Sequence, residues 1–349
     1  MSHVAIAMSG GVDSSVAAAL LLETGRDVFG VTMRLGLAEL AESACCGEEE
    51  VLLARRVCGA LGIRHVVLDM AAEFASEVVE PFSAAYAAGL TPNPCVRCNE
   101  RIKFGAFLKR VKRLGAGTLA TGHYARIGHA EGHAWLERGA DRRKDQSYFL
   151  YRVPPASLAM LEFPLGDLTK PEVRALAEAR GLPTAARRES QEVCFTDDHA
   201  GFVTARHPEA GTPGPIEDAV GTVLGAHRGI AHYTVGQRKG LGLSGPEGPY
   251  RVVRIDARRN AVIVGAPSAL ARERVTLQES VWRLTGPARV LAQVRYRGLP
   301  LPATATPAES GLSVAFDTPT DGLAPGQSVV LYQGDRVVGG GVVPAIAAP

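Results

Sequence analysis

One turn constrains this chain more than anything else in it. Ser9-Gly10-Gly11-Val12-Asp13-Ser14-Ser15 directly follows a short apolar run, His3–Met8, and opens an Ala- and Leu-rich stretch, Ser14–Thr24, that Gly25 closes. The run reads as a strand and the stretch as a helix. Two adjacent glycines let the backbone fold close and turn its N–H groups inward, and the first amides of the helix add partial positive charge. The loop is therefore an anion cradle. It lacks the Gly-Lys-Ser/Thr ending of a P-loop and does not have the Gly-x-Gly-x-x-Gly spacing of a dinucleotide loop. Without a lysine to reach terminal phosphates, it suits a pyrophosphate unit, with cleavage between α and β phosphates. The plainer alternative is a Gly-Gly turn with an Asp/Ser helix cap, and the place after a first strand favours phosphate. Asp13 stands either as a magnesium partner or as that cap.

The pattern continues as strand and helix in alternation. Strands are expected at Asp27–Met33, His65–Asp69 and Gly117–Thr121, with helices at Glu48–Leu61, Ala71–Ala88 and Asn99–Leu114. Such alternation predicts an α/β domain with a parallel, Rossmann-like sheet covered by helices. After about residue 200, glycine and proline rise and short β-rich runs replace helices: Tyr250–Asp256, Ala261–Val264, Ala288–Tyr296, Ser328–Tyr332 and Val337–Val343. Two small β-rich domains are expected there, the last a β-barrel. The boundaries are read as 1–200, 201–267 and 268–349.

The chain has 349 residues, enough for two or three such domains. No apolar run reaches the ~18 residues needed to span a bilayer, and no signal peptide is visible at the start, so a cytoplasmic protein with no membrane partner is expected. Net charge is +2, divided as −2 over residues 1–199 and +4 over 200–349, and arginine supplies 32 of the 38 basic residues. The charge balance does not announce nucleic acid. Arginine forks onto phosphate oxygens, but composition alone favours codon bias as the cause. Lys109, Lys112 and Arg113 give one helix a basic face, and Arg238-Lys239 sit among glycines in His232–Gly242. The helix face could meet RNA, but solvated surface is the commoner fate of such charge; the basic loop reads equally as an RNA contact or as an ordinary barrel turn.

Six cysteines stand at 45, 46, 58, 95, 98 and 194. Their clustering suits thiol chemistry or metal binding better than a disulfide framework. In Thr91-Pro-Asn-Pro-Cys-Val-Arg-Cys-Asn99, two prolines stiffen the approach. Cys98 is expected just before the helix that starts near Asn99, where the helix terminus, Arg97 and Arg101 would favour thiolate. The competing reading is half of a structural zinc site, which needs a second ligand pair such as Cys45-Cys46. Cys58 reads as a small hydrophobe. Cys194, in Ser190-Gln-Glu-Val-Cys-Phe195, reads equally as core or as chemistry.

The glycine loop resembles that of the N-type ATP pyrophosphatases, which convert ATP to AMP and pyrophosphate while activating an acceptor oxygen. Several further segments occur in order along the chain: Thr91–Phe104, Ala120-Thr-Gly-His-Tyr124, Lys144-Asp-Gln-Ser-Tyr-Phe-Leu150, Cys194-Phe195, His232–Gly242 and Gly339–Gly341. With the loop, they make nearly the whole chain resemble the bacterial tRNA-specific 2-thiouridylases. The resemblance implies ATP-dependent thiolation at C2 of the wobble uridine of tRNA, with magnesium and a relayed persulfide supplied by a cysteine desulfurase or sulfur-relay protein. It also implies roles for residues. Ala7, Met8, Ser9, Gly10, Gly11, Val12, Asp13, Ser14, Met33 and Gly122 hold ATP. Asn93, Pro94 and Cys95 face the target base. Cys98 is the nucleophile and Cys194 carries the persulfide, the two ending as a disulfide bond. His123, Lys144, Asp145, Gln146, Tyr296, Arg297 and Gln327 meet tRNA. In one respect the chain departs from the family pattern: many members have Asp, a candidate general base, where Cys95 stands. A [4Fe–4S] cluster on Cys95, Cys98 and Cys194 is therefore the alternative to the persulfide route.

Overall fold

The computed structural model describes residues 3–36, 47–187, 193–243 and 249–345. The chain divides into two compact units. The first comprises Met1–Val78, Cys95–Asp197 and Asp335–Val337; the second comprises Val79–Pro94, Asp198–Gly334 and Val338–Pro349.

The first unit is built on a parallel sheet. Its strands are β1 (His3–Ala7), β2 (Val28–Arg34), β3 (His65–Asp69), β4 (Ala116–Ala120) and the two-residue β7 (Leu161–Glu162). They lie in the order β3-β2-β1-β4-β7. β1 pairs with β2 on one side, Val4 beside Val28, and with β4 on the other, Ile6 beside Ala120. The strand order reverses beside β1, so the loop leaving its carboxyl end sits at the switch point where open α/β sheets place ligands. Helices α1 (Val12–Glu23), α2 (Glu48–Ala60) and α3 (Lys170–Ala179) flank the sheet. Val16, Ala17 and Leu21 of α1, Val57 and Cys58 of α2, and Val173 and Ala177 of α3 share one buried core with β1. Thr169 caps α3, and Glu172 returns the bond in a capping box.

A hairpin of β5 (Ala125–Ala130) and β6 (His133–Arg138) follows β4. Its two-residue turn, Glu131-Gly132, has positive φ at both positions, as a tight hairpin requires. Residues from the far end of the chain complete this region. Asp335 accepts hydrogen bonds from Arg126 at 2.7 Å and Arg142 at 2.5 Å, and its backbone carbonyl accepts one from the Arg138 amide.

The second unit contains a four-stranded sheet and a barrel. The sheet orders β10 (Arg251–Asp256), β11 (Ala261–Gly265), β8 (Gly214–Glu217) and β9 (Val223–His227) side by side, after a helix at His199–Arg206. Six strands form the barrel: β12 (Arg272–Trp282), β13 (Ala288–Gln293), β14 (Leu301–Ala308), β15 (Gly311–Thr320), β16 (Ser328–Gln333) and β17 (Arg336–Val342). Their order, β12-β15-β14-β13-β16-β17, closes through a β12–β17 pairing. Gly339 and Gly341 make the closure possible. A Cβ at Gly339 would lie 2.5 Å from the Val281 carbonyl, and one at Gly341 2.8 Å from the Leu277 Cβ. The α/β domain and the terminal barrel match the sequence expectation. The β5–β6 hairpin, β8, β9, β12, β14 and β15 are strands the sequence reading did not resolve. Among the described residues, no helix is long and apolar enough to cross a membrane.

Candidate active site

The glycine loop begins where β1 ends. Gly10 takes φ +69°, and a Cβ there would meet the Glu50 carbonyl at 2.7 Å, so only glycine fits. Gly11 is the N-cap of α1 and makes no side-chain capping bond. The alternative that Asp13 serves as the cap is thereby overturned. Asp13 Oδ1 instead accepts two hydrogen bonds, each 2.7 Å, from Lys170 Nζ and Tyr124 Oη. Lys170 is 7% exposed. A lysine absent from the loop's own sequence thus arrives from the start of α3. Ser14 and Ser15 turn their hydroxyls back onto the Gly11 carbonyl at 3.1 and 2.8 Å.

A second set of contacts braces the loop from outside. Arg187 donates to the Gly10 carbonyl at 2.9 Å and to Glu50 at 2.7 Å, and Thr184 donates to the Ser15 hydroxyl at 2.9 Å. Gly122 closes in from the β4 side: a Cβ there would lie 2.9 Å from the Asp13 carbonyl carbon and the Ser14 nitrogen. Met33, at the end of β2, is buried. Behind the loop, the Thr32 hydroxyl donates to the Met8 carbonyl at 2.8 Å and meets His65 Nε2 at 2.7 Å. The hydroxyl proton is committed to Met8, so Nε2 carries the proton in that contact.

The residues expected to meet tRNA divide by environment. Gln146 is zipped to Tyr124 by two hydrogen bonds, from its own amide and to its Oε1. Asp145 faces inward: its carboxylate accepts from the Gly139 and Ser147 amides and the Ser147 hydroxyl. Burial raises its pKa against those bonds, so it holds the segment in shape. Lys144 is half-buried beside it. The His123 ring lies 5.7 Å from both Phe104 and Phe163 and bonds Thr121 at 2.6 Å.

Burial and the nearby Lys103 cation hold the His123 pKa well below the ordinary imidazole value. Unfolding therefore takes up a proton once the pH drops below ~6.5, and folded stability declines with acidification. His65, lowered by burial and by Arg55, acts in the same direction. Thermal melts are expected to show a Tm that falls between pH 7.5 and 5.5. The fall is expected to be smaller in His123→Gln; an equal fall in that variant would contradict the assignment.

The cysteine segment is placed differently from its sequence reading. A helical turn at Pro94–Arg97 runs directly into a π-helical stretch, Cys98–Phe107, and then Leu108–Arg113. Cys98 therefore lies one turn inside the helix, and the free amides at the terminus fall nearer Cys95. Arg97 bonds the Glu77 carbonyl and its carboxylate, and Arg101 lies 3.8 Å from Glu100. Both arginines assigned to a Cys98 thiolate are matched by carboxylates. Cys98 is buried, Cys95 and Cys194 are half-buried, and all three stand as thiols, as does Cys58. Phe195 anchors the Cys194 segment by packing edge-on against Phe74, with centroids 5.7 Å apart.

Burial pushes the Cys58 thiol up to about 11, as its reading as core requires. Among the described residues, no three His, Cys, Asp or Glu side chains lie together as a metal-ligand set. Among the described residues, then, Cys95, Cys98 and Cys194 do not form a cluster-ligand set, and Cys95 and Cys98 have no second zinc-ligand pair. Cys45 and Cys46 lie outside the described residues. Lys109, Lys112 and Arg113 are all exposed, as are Arg238 and Lys239.

The remaining expected residues belong to the second unit. Asn93 is half-buried and Pro94 buried. Arg297 is exposed, takes φ +60°, and sets its guanidinium 5.3 Å from the centre of the Tyr296 ring. Gln327 is half-buried, and its carbonyl accepts from the Val343 amide.

The sequence matches three family models in succession. Residues 2–198 match a tRNA methyl transferase HUP domain, 200–266 its PRC-barrel domain, and 271–343 an aminomethyltransferase β-barrel domain. The tRNA-specific 2-thiouridylase of Chloroflexus aurantiacus is 49% identical over 352 residues, covering 98% of each chain. That of Moorella thermoacetica is 47% identical over 355 residues, covering 98% of this chain and 99% of its own. A 4-thiouridine synthetase solved with RNA and ATP overlaps 55% of this chain and 44% of its own, at 16% identity and a TM-score of 0.36.

Proposed function

The chain belongs to the tRNA-specific 2-thiouridylase family, and from that premise we propose that it is an ATP-dependent tRNA-uridine 2-sulfurtransferase acting on the wobble uridine. The observation that carries the reading is a meeting of parts in one unit. A glycine cradle, a buried lysine on its acid and the Cys98 and Cys194 thiols all belong to the first unit.

The chemistry follows from what uracil lacks. Its C2 oxygen is a poor leaving group. In the proposed sequence that oxygen attacks the α-phosphorus of ATP, a C2–O–P bond forms, and pyrophosphate departs. The loop amides and Lys170 face the charge that accumulates on the departing phosphates. Magnesium travelling with ATP would find its protein ligand in Asp13 Oδ2, because Oδ1 is taken by Lys170 and Tyr124. The terminal sulfur of a Cys194 persulfide then attacks C2 and AMP leaves. Cys98 attacks the Cys194 sulfur, the S–S bond to the substrate breaks, and the electron pair forms C2=S. A Cys98–Cys194 disulfide remains, to be reduced before a persulfide-donating protein reloads Cys194. A cluster route would need three ligands together, and among the described residues no such set is found.

The test uses purified protein, bulk tRNA, ATP and a persulfide donor. Nucleoside mass spectrometry is expected to show 2-thiouridine at the wobble position, with one pyrophosphate released per sulfur inserted. Absence of 2-thiouridine with a loaded Cys194 would refute the reading.

A further inference from the structure

The residue after Cys98 is more deeply buried than its polarity warrants. Asn99 is 3% exposed, on the first turn of the π-helical stretch. Its Nδ2 donates to the Phe149 carbonyl at 3.1 Å. Phe149 sits in a one-turn helix, Ser147–Leu150, too short to satisfy its own carbonyls. This bond fixes the amide's orientation, because the reverse would set two oxygens against each other. Oδ1 is then left buried, with no protein donor among the described residues. Buried polar atoms are rarely left so, and such an atom calls for an explanation.

The next residue makes a parallel tie. Glu100 pairs with Arg152 at 2.8 Å, both largely shielded. The platform they grip does not give easily. Tyr148, Leu150 and Tyr151 are fully buried, and Asp145 pins its start at Ser147. Two consecutive residues thus fasten the Cys98 turn to the segment that begins at Lys144–Gln146. The Asn99 bond is the shorter lever, being one residue from the thiol.

We propose that Asn99 is the positioning residue for Cys98, holding the thiol's turn on the Phe149 carbonyl so that the sulfur is set for attack. The half-satisfied amide is the joint: one bond fixes the turn, and the open acceptor has no second bond to resist adjustment as substrate arrives. The inference rests on Cys98 being the nucleophile. A misplacement of ~1 Å at a reacting atom costs about 10²-fold in rate.

Asn99→Ala is tested by thiolation kinetics and by iodoacetamide labelling of each cysteine, read by peptide mass spectrometry. The expected result is a kcat about 10-fold or more lower, with KM for ATP and tRNA within about twofold, since binding groups are untouched. Cys98 is expected to label faster, while Cys58, 1% exposed in the same unit, stays protected. Cys98 labelling and kcat both at wild-type levels would overturn the proposal. Cys58 opening in step with Cys98 would reduce Asn99 to a general support and overturn it as well. Asn99→Leu is close in size, carries no charge and cannot donate, and it has the same expectations if the alanine variant does not fold. Thiolation retained in Cys98→Ser would instead refute the nucleophile reading, and the labelling contrast does not depend on that result.

Discussion

Cys98→Ser and Cys194→Ser are each expected to lower 2-thiouridine formation by about a thousandfold or more, because a hydroxyl neither carries a persulfide nor resolves one. ATP still binds in both, since neither thiol is among the bonds that shape the glycine loop. On the proposed relay the two variants would stop at different points. With Cys194→Ser no persulfide is expected to load and no sulfur to reach the base. With Cys98→Ser the persulfide is expected to load and sulfur to arrive without a partner to release it, so that a tRNA–protein adduct sensitive to thiol reductant accumulates. Cys58→Ala is the control, because that thiol is buried and its pKa is pushed up to about 11. Full thiolation in both serine variants would end the sulfur-relay reading and leave an ATP-dependent enzyme of another kind.

Lys170→Met is expected to reduce pyrophosphate release by about 10²–10³-fold, the range seen when one preorganised charge-stabilising group is lost. The lysine has two separable jobs. It neutralises Asp13, which it meets at 2.7 Å, and it places a cation beside a loop that has none of its own. The double variant Asp13→Asn, Lys170→Met separates them. If the lysine only balances Asp13, the second change restores release. If it faces the departing phosphates, release stays low, and that is the expected outcome. Recovery in the double variant would assign Lys170 to charge balance alone.

Much of this was legible in the sequence because it is local. A strand, two glycines and a helix are read within twenty residues, and the register of β1 against β2 follows from the fold they start. Lys170 and Arg187 were not legible. They reach the loop across more than 150 residues, and the only local signal, Thr169-Lys170-Pro171-Glu172, announces a helix start rather than its destination. The helix carrying Cys98 starts at Pro94, five residues before the expected Asn99, because a proline there reads first as a loop stiffener. Proline is also at home in a first helical turn, where its missing N–H costs nothing. The π winding after Cys98 leaves no mark in residue spacing. The β5–β6 hairpin had a short signal in Glu131-Gly132, which a pass for parallel strands does not look for.

Asp335 gives the first unit a late anchor. Its carboxylate and carbonyl engage Arg126, Arg142 and Arg138 of that unit, yet the long stretch Asp198–Gly334 of the other unit is made between them. A nascent chain leaves the ribosome from its N-terminus, and units generally fold as they emerge. Here the first unit cannot be finished on that timetable. Its parallel sheet forms early, but the residue that ties its arginines together follows only after most of the second unit. A chain cut short before residue 335 would therefore carry its loop and its thiols without that anchor.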